Sequence, residues 1–338
     1  MNVLGYLRGL LIRHRRFVCL LPLTLLASLL ACCPPCVFAS DYAPEAAPIL
    51  QKIYSFDLDG AISEAHGLEQ ARPEDPLGFL LEAEALGWKI WCTSAEYKYG
   101  FTDARRRPKL PRDQRYLELA AKVISLAEAQ LKKQETAPMH FYAGMGQALA
   151  ARLYGLRGEN RNIARAGVRA REQFLQALQL DPNFADADFG LGLYNYYVDT
   201  LGTIAKILRF FMGIPGGSKQ DGIRQLEIAI ANGQLSRQDA SFYLALNSIK
   251  YDQNYDRALQ LISPLAEAYP SNPLFLLLRG DALAKLGRNP QAIASYRAAE
   301  AVPVRDPECA ARVQALARAS LEALNSSPSP PDSTVPPH

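Results

Sequence analysis

The sequence has few of the residues on which metal and redox chemistry depend. Beyond residue 39 it keeps three histidines, His66, His140 and His338, and two cysteines, Cys92 and Cys309. These five are not arranged in the His-Glu-x-x-His or Cys-x-x-Cys spacing that holds zinc. Neither histidine within the helical pattern has a serine nucleophile motif beside it. We therefore expect no metal, no cofactor and no catalytic residue in this chain.

A second absence is any excess of charge of one sign. The whole chain carries 37 basic and 34 acidic residues, but residues 1–39 contain four arginines and no acid. The rest of the chain is therefore close to neutral and has no basic stripe. Because nucleic-acid binding needs a concentration of lysine and arginine, we exclude nucleic acid as a partner.

Residues 1–39 have the features of an export signal. Arginines come first, an apolar run follows over residues 17–33, and Val37-Phe38-Ala39 provides a small-residue cleavage site before Ser40. This pattern predicts an exported protein of the bacterial cell envelope. The sequence Leu29-Leu30-Ala31-Cys32 also resembles a bacterial lipobox, which would make Cys32 the lipidated first residue of a lipoprotein. A third alternative is an uncleaved anchor, although a membrane span needs roughly 20 apolar residues.

The two remaining cysteines allow two interpretations. An exported chain matures in an oxidising compartment, where Cys92 and Cys309 could form a disulfide. Cys92 belongs to an early helix, however, and Cys309 to the last one. In an extended array of helices they would lie far apart, so the sequence favours two small buried apolar side chains.

The sequence also lacks runs of alternating β-branched residues. Between residues 45 and 324 the apolar spacing is helical throughout, which predicts an all-α fold. Acidic pairs at i,i+2 spacing, such as Glu82 and Glu84, point to different helix faces and are expected to be solvated. Residues 325–338 are rich in proline and serine, and this composition predicts a disordered tail.

A repeated pattern runs through the helical region. The stretch Leu180 to Ala187 is a turn, and Ala170, Phe174 and Ala177 precede its proline at fixed offsets. The same small, aromatic or large apolar, small register recurs at Gly222, Leu226 and Ala229, and at Ala292, Tyr296 and Ala299; Ala258 and Ala292 lie 34 residues apart. This pattern resembles the tetratricopeptide repeat (TPR) family, whose period is 34 residues. The resemblance implies a solenoid of helical hairpins over residues 45–324, with close helix crossings at Gly192 and Gly280 and a capping helix at the end.

The TPR resemblance also implies a concave groove, lined by the first helix of each repeat, that binds a protein or peptide partner. Placing the register on the chain predicts which residues face this groove, with Asp186 beside them: Phe189, Leu193, Tyr196, Tyr197, Tyr243, Asn247 and Lys250. Tyrosines provide rigid amphipathic area of the kind found at binding hot spots. In the alternative interpretation these aromatic residues pack between repeats.

One segment exceeds the repeat period. Ala170 and Gly222 lie 52 residues apart, and the surplus corresponds to an insertion at residues 200–217. Four apolar residues fall on one helical face of this insertion: Leu201, Ile204, Leu208 and Phe211. They either pack against neighbouring helices or form an exposed patch that contacts lipid or an apolar ligand.

Local features around the insertion carry a second resemblance. Phe189-Gly190-Leu191-Gly192, the apolar helix and Gly216-Gly217 follow one another in an order that is similar to the mitochondrial outer-membrane Iml2 and TPR-39 family. The sequence lacks that family's proline after the aromatic helix.

From the composition, the export signal and the repeat pattern together, we expect a non-catalytic exported scaffold or adaptor that binds a protein partner. The alternative is a membrane-associated helical-repeat protein that uses residues 200–214 to contact lipid.

Overall fold

The structure, a computed structural model, describes residues 43–94, 111–202, 206, 209 and 213–326, all within one compact unit, Tyr42–His338. Over these ranges it contains helices and no strands, so the predicted all-α class is confirmed. The thirteen helices within the described ranges are α1 (Ala46–Tyr54), α2 (Leu58–Ala71), α3 (Pro76–Ser94), α4 (Pro111–Leu131), α5 (Ala137–Arg157), α6 (Asn160–Leu180), α7 (Ala185–Thr200), α8 (Lys219–Asn232), α9 (Arg237–Lys250), α10 (Tyr255–Ala268), α11 (Pro273–Lys285), α12 (Asn289–Ala301) and α13 (Pro307–Ser326).

From α3 onward, neighbouring helices along the chain pair as hairpins and form two layers. The inner layer consists of α3, α5, α7, α9 and α11, each of which contacts the next inner helix, and the helices between them form the outer layer. Inner helices are buried on all sides: every residue of α9 from Asp239 to Ser248 is buried. Outer helices such as α10 bury one stripe, Ala258, Ile262, Leu265 and Ala266. This difference follows from position, since only the inner helices have protein on both faces.

The turns between helices are specified locally. Asn254 caps α10 by accepting a hydrogen bond from the backbone of Arg257, and Asn272 caps α11 through the backbone N–H groups of Leu274 and Phe275. Pro273 occupies the first position of α11, where a missing N–H costs nothing. Gly158 ends α5 in the left-handed conformation. Because these capping and turn residues are specified locally, the ends of the helices can be predicted from the sequence.

The predicted small residues lie where outer and inner helices cross. A Cβ atom added at Gly192 would stand 2.9 Å from the carbonyl oxygen of Gly222, and one at Gly222 would stand 2.7 Å from the carbonyl oxygen of Gly192. At Gly280 a Cβ would meet the Tyr296 ring at 2.6 Å. The close crossings expected at Gly192 and Gly280 are therefore confirmed.

The array curls back on itself, so its last helix reaches its first inner helix. Helix α13 contacts both α11 and α3, which brings residues more than 200 positions apart into one core. At this seam Cys92 of α3 and Cys309 of α13 form a disulfide, with their Cα atoms 5.3 Å apart. The prediction of two separate buried cysteines is wrong, because it assumed an extended solenoid in which the first and last helices stay apart.

Polar contacts accompany the disulfide at the seam. The Asn272 side chain donates to the carbonyl oxygen of Tyr54 at 3.0 Å, and the Ser271 hydroxyl donates to that of Ser55 at 2.7 Å. Two arginines extend the closure: Arg305 pairs with Asp57 at 3.2 Å, and Arg112 pairs with Asp306 at 3.3 Å. The closure therefore joins both ends of the described chain through covalent, polar and apolar contacts.

Among the described residues, no helix combines the length and the apolar character needed to cross a bilayer.

Candidate functional site

The concave side of the helical array, where the sequence predicts a partner groove, is filled by the chain itself. Trp88 and Trp91 of α3 project into the centre of the curl. The Trp88 ring lies 5.0 Å from the Phe242 ring and 5.7 Å from the Phe275 ring, and Trp91 lies 5.0 Å from Tyr243. Both tryptophans are buried. The two ends of the array therefore meet across an aromatic core.

Helix α1 lies across the same concave side. Its buried face consists of residues at helical spacing, Ala46, Ile49, Leu50, Ile53 and Tyr54, whereas Ala47, Pro48 and Gln51 are exposed. Leu50 lines a cavity of about 20 Å³. The other lining residues come from α3, α5, α7, the segment that leads into α9, and α9 itself: Leu80, Leu81, Glu84, Phe141, Met145, Phe189, Leu235, Ser236 and Asp239. A space of this size holds about one water molecule.

Four of the predicted groove residues are core residues. Phe189, Tyr196, Tyr243 and Asn247 expose 1%, 0%, 5% and 0% of their surface. The Tyr196 hydroxyl donates to the backbone oxygen of Asn247 at 3.4 Å, and Phe189 packs against Tyr243 at 5.9 Å between ring centres. The expectation that these four face an open groove is wrong, because curling of the array packs the inner helices against one another.

The expectation that Asp186 faces the groove is wrong for a different reason. Its carboxylate accepts hydrogen bonds from the backbone N–H groups of Gln234, Leu235 and Ser236 at 2.8–3.0 Å. Asp186 therefore fixes the turn before α9 to the start of α7. The repeat register places Asp186 on the correct helix but does not predict its hydrogen-bond partners.

The other three predicted groove residues remain partly accessible to solvent. Leu193, Tyr197 and Lys250 are partly exposed. The Tyr197 hydroxyl donates to the Asn247 side-chain oxygen at 3.1 Å, and the Lys250 ammonium lies 4.9 Å from the centre of the Tyr251 ring. We name Leu193, Tyr197 and Lys250, with the 36% exposed Tyr251, the α7–α9 edge. It lies toward the ends of two neighbouring inner helices.

The insertion follows directly on α7. Leu201 exposes 40% of its surface, so it is not packed as a core residue. Ile204, Leu208 and Phe211 lie outside the residues whose positions are described, as do Cys32, the predicted export signal and the tail from residue 327. Lys219, at the far end of the insertion, pairs with Asp252 and begins α8.

A buried charge network lies beneath α1, and no pattern in the sequence predicts it. Glu84 of α3 pairs with Arg152 of α5 at 3.0 Å, and the Arg152 guanidinium also lies over the Trp91 ring at 5.1 Å. Glu84 and Asp239 expose only 6% and 5% of their surface. The expectation that Glu84 is solvated is wrong, because an inner helix has protein on both faces. Glu82, its i,i+2 neighbour, is also buried, at 4%.

Burial changes the protonation of this network. Burial, with the neighbouring Glu84 carboxylate, raises the pKa of Asp239 to about 7, although Arg152 opposes the shift. Burial and the Asp239 and Glu84 carboxylates also raise the pKa of Tyr54. Asp239 is thus protonated over part of the neutral range, and it lines the cavity under α1.

Glu82 takes part in a second cluster between α2, α3 and α4. Ligand-type atoms of His66, Glu69 and Glu82 lie within 4.8 Å of one another. Arg115 donates to both oxygens of Glu82, at 3.1 and 2.6 Å, and His66 lies 3.0 Å from one of them. Burial and the adjacent Glu82 raise the pKa of Glu69 to about 7. Because Arg115 occupies both Glu82 oxygens, the contacts describe an ion-pair network that joins three helices.

The remaining histidine of the helical region is also engaged. His140 is buried, and its Nδ1 lies 2.7 Å from the side-chain oxygen of Gln173 on α6. This contact holds α5 against α6.

Comparison with known proteins gives a family for part of the chain. Residues 250–306 match the family model described as "Tetratricopeptide repeat". Comparison with curated proteins gives no significant match. The match covers α10–α12, where the predicted small residues Ala258, Ala292 and Ala299 are buried.

Two solved structures are similar to the chain at low identity. Yeast Tom70 is 14% identical with a TM-score of 0.27, and the match covers 80% of this chain and 60% of that one. The TPR domain of P58(IPK) is 13% identical with a TM-score of 0.24, and the match covers 83% of this chain and 98% of that one. The values are too low to locate a site. None of these matches supports the Iml2 and TPR-39 resemblance of residues 185–231. The chain therefore contains a tetratricopeptide repeat at residues 250–306, within a longer array of paired helices.

Proposed function

We propose that this chain is a non-catalytic scaffold of the bacterial cell envelope that binds a protein partner after export. The observation that carries the proposal is a disulfide, Cys92–Cys309, inside a tetratricopeptide repeat fold. Repeat proteins of this kind offer surfaces rather than reaction centres. A structural disulfide persists in an oxidising compartment such as the bacterial periplasm.

The export part of the proposal has two independent supports. Residues 1–39 carry the arginine, apolar and small-residue pattern of a signal. The disulfide closes the array from α3 to α13, and a chain that folds in the reducing cytosol would lack it. Together they favour secretion through the inner membrane, with Ser40 or an acylated Cys32 as the first residue of the mature chain.

The partner surface that we propose is the α7–α9 edge. It contains the predicted groove residues that retain exposure, and two of its four members are tyrosines. Tyrosine contributes large contact area at low entropic cost, which makes it frequent among interface residues. Tyr197 is also held in place by Asn247, so this part of the edge is formed before a partner arrives.

In-cell photo-crosslinking tests the proposal. A photoreactive residue at position 197 should give a specific protein adduct, and the same residue at position 175, where Leu175 is 39% exposed on α6, should not. Mass spectrometry of the purified chain would identify its first residue and any acyl group. Recovery of the chain from the cytosol with free thiols, or identical adducts at positions 197 and 175, would contradict the proposal.

A second candidate function is supported by Leu201. This residue is 40% exposed at the start of an apolar insertion, where a side chain could enter lipid or cover an apolar ligand. Flotation of the mature, unacylated chain with vesicles of phosphatidylethanolamine and phosphatidylglycerol tests this function. Binding that is lost in Leu201→Asp but retained in Leu175→Asp would favour membrane contact. A chain that stays with the soluble fraction would remove this candidate.

A further inference from the structure

Helix α6, in the outer layer of the array, concentrates basic side chains on its solvent-facing side. It contains four arginines and a single acidic residue, Glu172. Three of the arginines are exposed: Arg161, Arg165 and Arg169. We name these three residues the α6 arginine face.

The three arginines lie in line because they are four residues apart. Four residues complete one turn of an α-helix plus about 40°, and they advance it by about 6 Å. The face therefore covers an arc of about 80° and about 12 Å of helix. The expectation that the chain has no basic stripe is wrong at α6, because it followed from the total charge, whereas the helix aligns these residues.

No carboxylate of the described ranges neutralises the α6 arginine face. Its three side chains make no ion pair and no hydrogen bond with a described residue. The next two outer helices differ, since Arg224 of α8 pairs with Asp221 at 2.9 Å and Arg257 of α10 pairs with Glu227. The first turn of α6 has no acidic residue either, so the positive end of the helix dipole adds to the charge of the face. The face is thus available to an external anion.

An exposed apolar residue lies beside the N-terminal half of α6. Helices α6 and α7 pack as a hairpin, and Tyr194 of α7 lies beside Gly167 and Arg171 of α6. Leu201 follows Tyr194 by seven residues, so the antiparallel pairing places it toward the first turn of α6. Leu201 is 40% exposed. A basic face and an apolar side chain therefore occur together at this end of the hairpin.

The insertion continues this combination along the chain. Residues 200–217 contain two basic residues, Lys206 and Arg209, and no acidic residue. Arg209 is held near α7, because its guanidinium and the Tyr194 hydroxyl both donate to the carbonyl oxygen of Pro215, at 3.1 and 2.8 Å. Basic side chains beside apolar ones are typical of segments that lie at a membrane surface. A soluble polyanion would engage the arginines but would leave Leu201 without an apolar partner.

We propose that the α6 arginine face binds the phosphate groups of anionic phospholipids and holds the outer side of α6 against a membrane. Guanidinium groups bind phosphate oxygens through paired, charge-assisted hydrogen bonds. Leu201 then lies at the boundary between headgroups and acyl chains. The inference deepens the second candidate function by naming the lipid class, and it rests on that candidate for the presence of a membrane. It does not depend on the protein partner at the α7–α9 edge.

Vesicle flotation of the mature, unacylated chain tests the lipid class. The vesicles contain either phosphatidylcholine alone or phosphatidylcholine and phosphatidylglycerol in equal parts. One variant removes the whole face: Arg161→Gln, Arg165→Gln and Arg169→Gln. The matched control removes the same charge from three exposed arginines elsewhere: Arg224→Gln, Arg288→Gln and Arg318→Gln. Glutamine keeps a high helix propensity, and circular dichroism checks that each chain is folded.

The wild type and the control should bind the phosphatidylglycerol vesicles. The arginine-face variant should bind them about 100-fold more weakly, because each arginine near an anionic membrane contributes a factor of about five. The difference should disappear in about 1 M salt, where the Debye length is about 3 Å. Equal affinity of the arginine-face variant and the control for these vesicles would overturn the proposal.

Soluble anions separate the lipid from other sources of negative charge. Sodium phosphate should displace the chain from the vesicles no better than sodium chloride at the same ionic strength. Specific displacement by phosphate would instead assign the face to a free anion. A polyglutamate peptide or a DNA duplex that binds the face more tightly than the vesicles do would also overturn the proposal.

Leu201→Asp distinguishes this inference from the candidate function on which it rests. Binding to phosphatidylcholine vesicles that is lost in Leu201→Asp but unchanged in the arginine-face variant would leave the membrane contact in place and remove the lipid-binding face. Binding to phosphatidylglycerol vesicles that is lost in the arginine-face variant but unchanged in Leu201→Asp would establish the face and contradict the entry of Leu201 into lipid. A chain that binds neither kind of vesicle would remove both.

Discussion

The repeats over α10–α12 and the segment α1–α3 are stabilised by different kinds of contact, although both are helical and both contribute to one core. In α10–α12 each helix is specified by its neighbours in sequence, through caps at Asn254 and Asn272 and through the crossing of Gly280 with Tyr296. In α1–α3 the decisive contacts are distant, such as Trp88 with Phe275 and Cys92 with Cys309. Local rules therefore build the array, and distant contacts close it.

The largest effect is expected on removing the Trp88 side chain, which connects the two regions. Trp88→Ala takes away contacts to Phe242, Phe275 and Tyr54 at once. Because the cavity would lie between helices from both ends of the array, we expect the free energy of unfolding to fall by about 3–5 kcal/mol. Urea denaturation measures the change, with the exposed Leu175→Ala as control. A loss below about 1 kcal/mol would show that the regions are not coupled.

The disulfide gives the next largest effect. Cys92→Ser with Cys309→Ser should lower the free energy of unfolding by about 2–4 kcal/mol, because the cross-link spans most of the folded chain. Thermal unfolding with and without dithiothreitol provides the measurement: reductant should destabilise the wild type and leave the double variant unchanged. A wild type that is insensitive to reductant would show that apolar and polar contacts alone close the array.

Alanine substitution of two glycines, Gly222 and Gly67, tests the close crossing of helices within the array. Gly222→Ala places a Cβ 2.7 Å from backbone atoms of Gly192 and Tyr196, which cannot move without shifting α7, so we expect a loss of about 1–3 kcal/mol. At Gly67 of α2 no atom lies within 4 Å of an added Cβ. Gly67→Ala should instead stabilise the chain by about 0.5–1 kcal/mol, through higher helix propensity. Chemical denaturation of both variants compares them, and equal effects would disprove the close crossing.

The charge network under α1 predicts that stability depends on pH. Asp239 has its pKa raised to about 7 from an unfolded value near 3.8, so the folded chain binds more protons than the unfolded chain between these values. Stability should therefore decrease as pH rises from about 4 to 7, by at most about 1.4 kcal/mol per pH unit for one group. The melting temperature should be lower at pH 8 than at pH 5.

The Asp239→Asn variant sharpens this measurement. It removes the titrating group, so its melting temperature should fall less over the same range. Glu69 and Asp188, whose pKa values burial raises to about 7 and about 6, leave a residual slope of the same sign. An identical pH dependence in the variant and the wild type would exclude Asp239 as a source of the effect.

The repeat register was accessible from the sequence because it is local. Ala170, Phe174 and Ala177 are all buried at the positions that the register predicts, and the close approach of Gly192 follows from the same spacing. The candidate site was predictable only in part. Tyr197 and Lys250 keep surface, but Tyr196 and Tyr243 are core residues, because periodicity distinguishes the inner face of a helix without showing whether that face is open.

The sequence by itself determined the helices, their pairing and the repeat spacing, since each depends on residues a few positions apart. Only the tertiary structure decided that the array curls until α13 meets α3, that Glu84 and Asp239 are buried, and that α1 covers the concave side. The physical reason is that curvature accumulates over many helix crossings, and small angles at each of them determine whether the two ends meet.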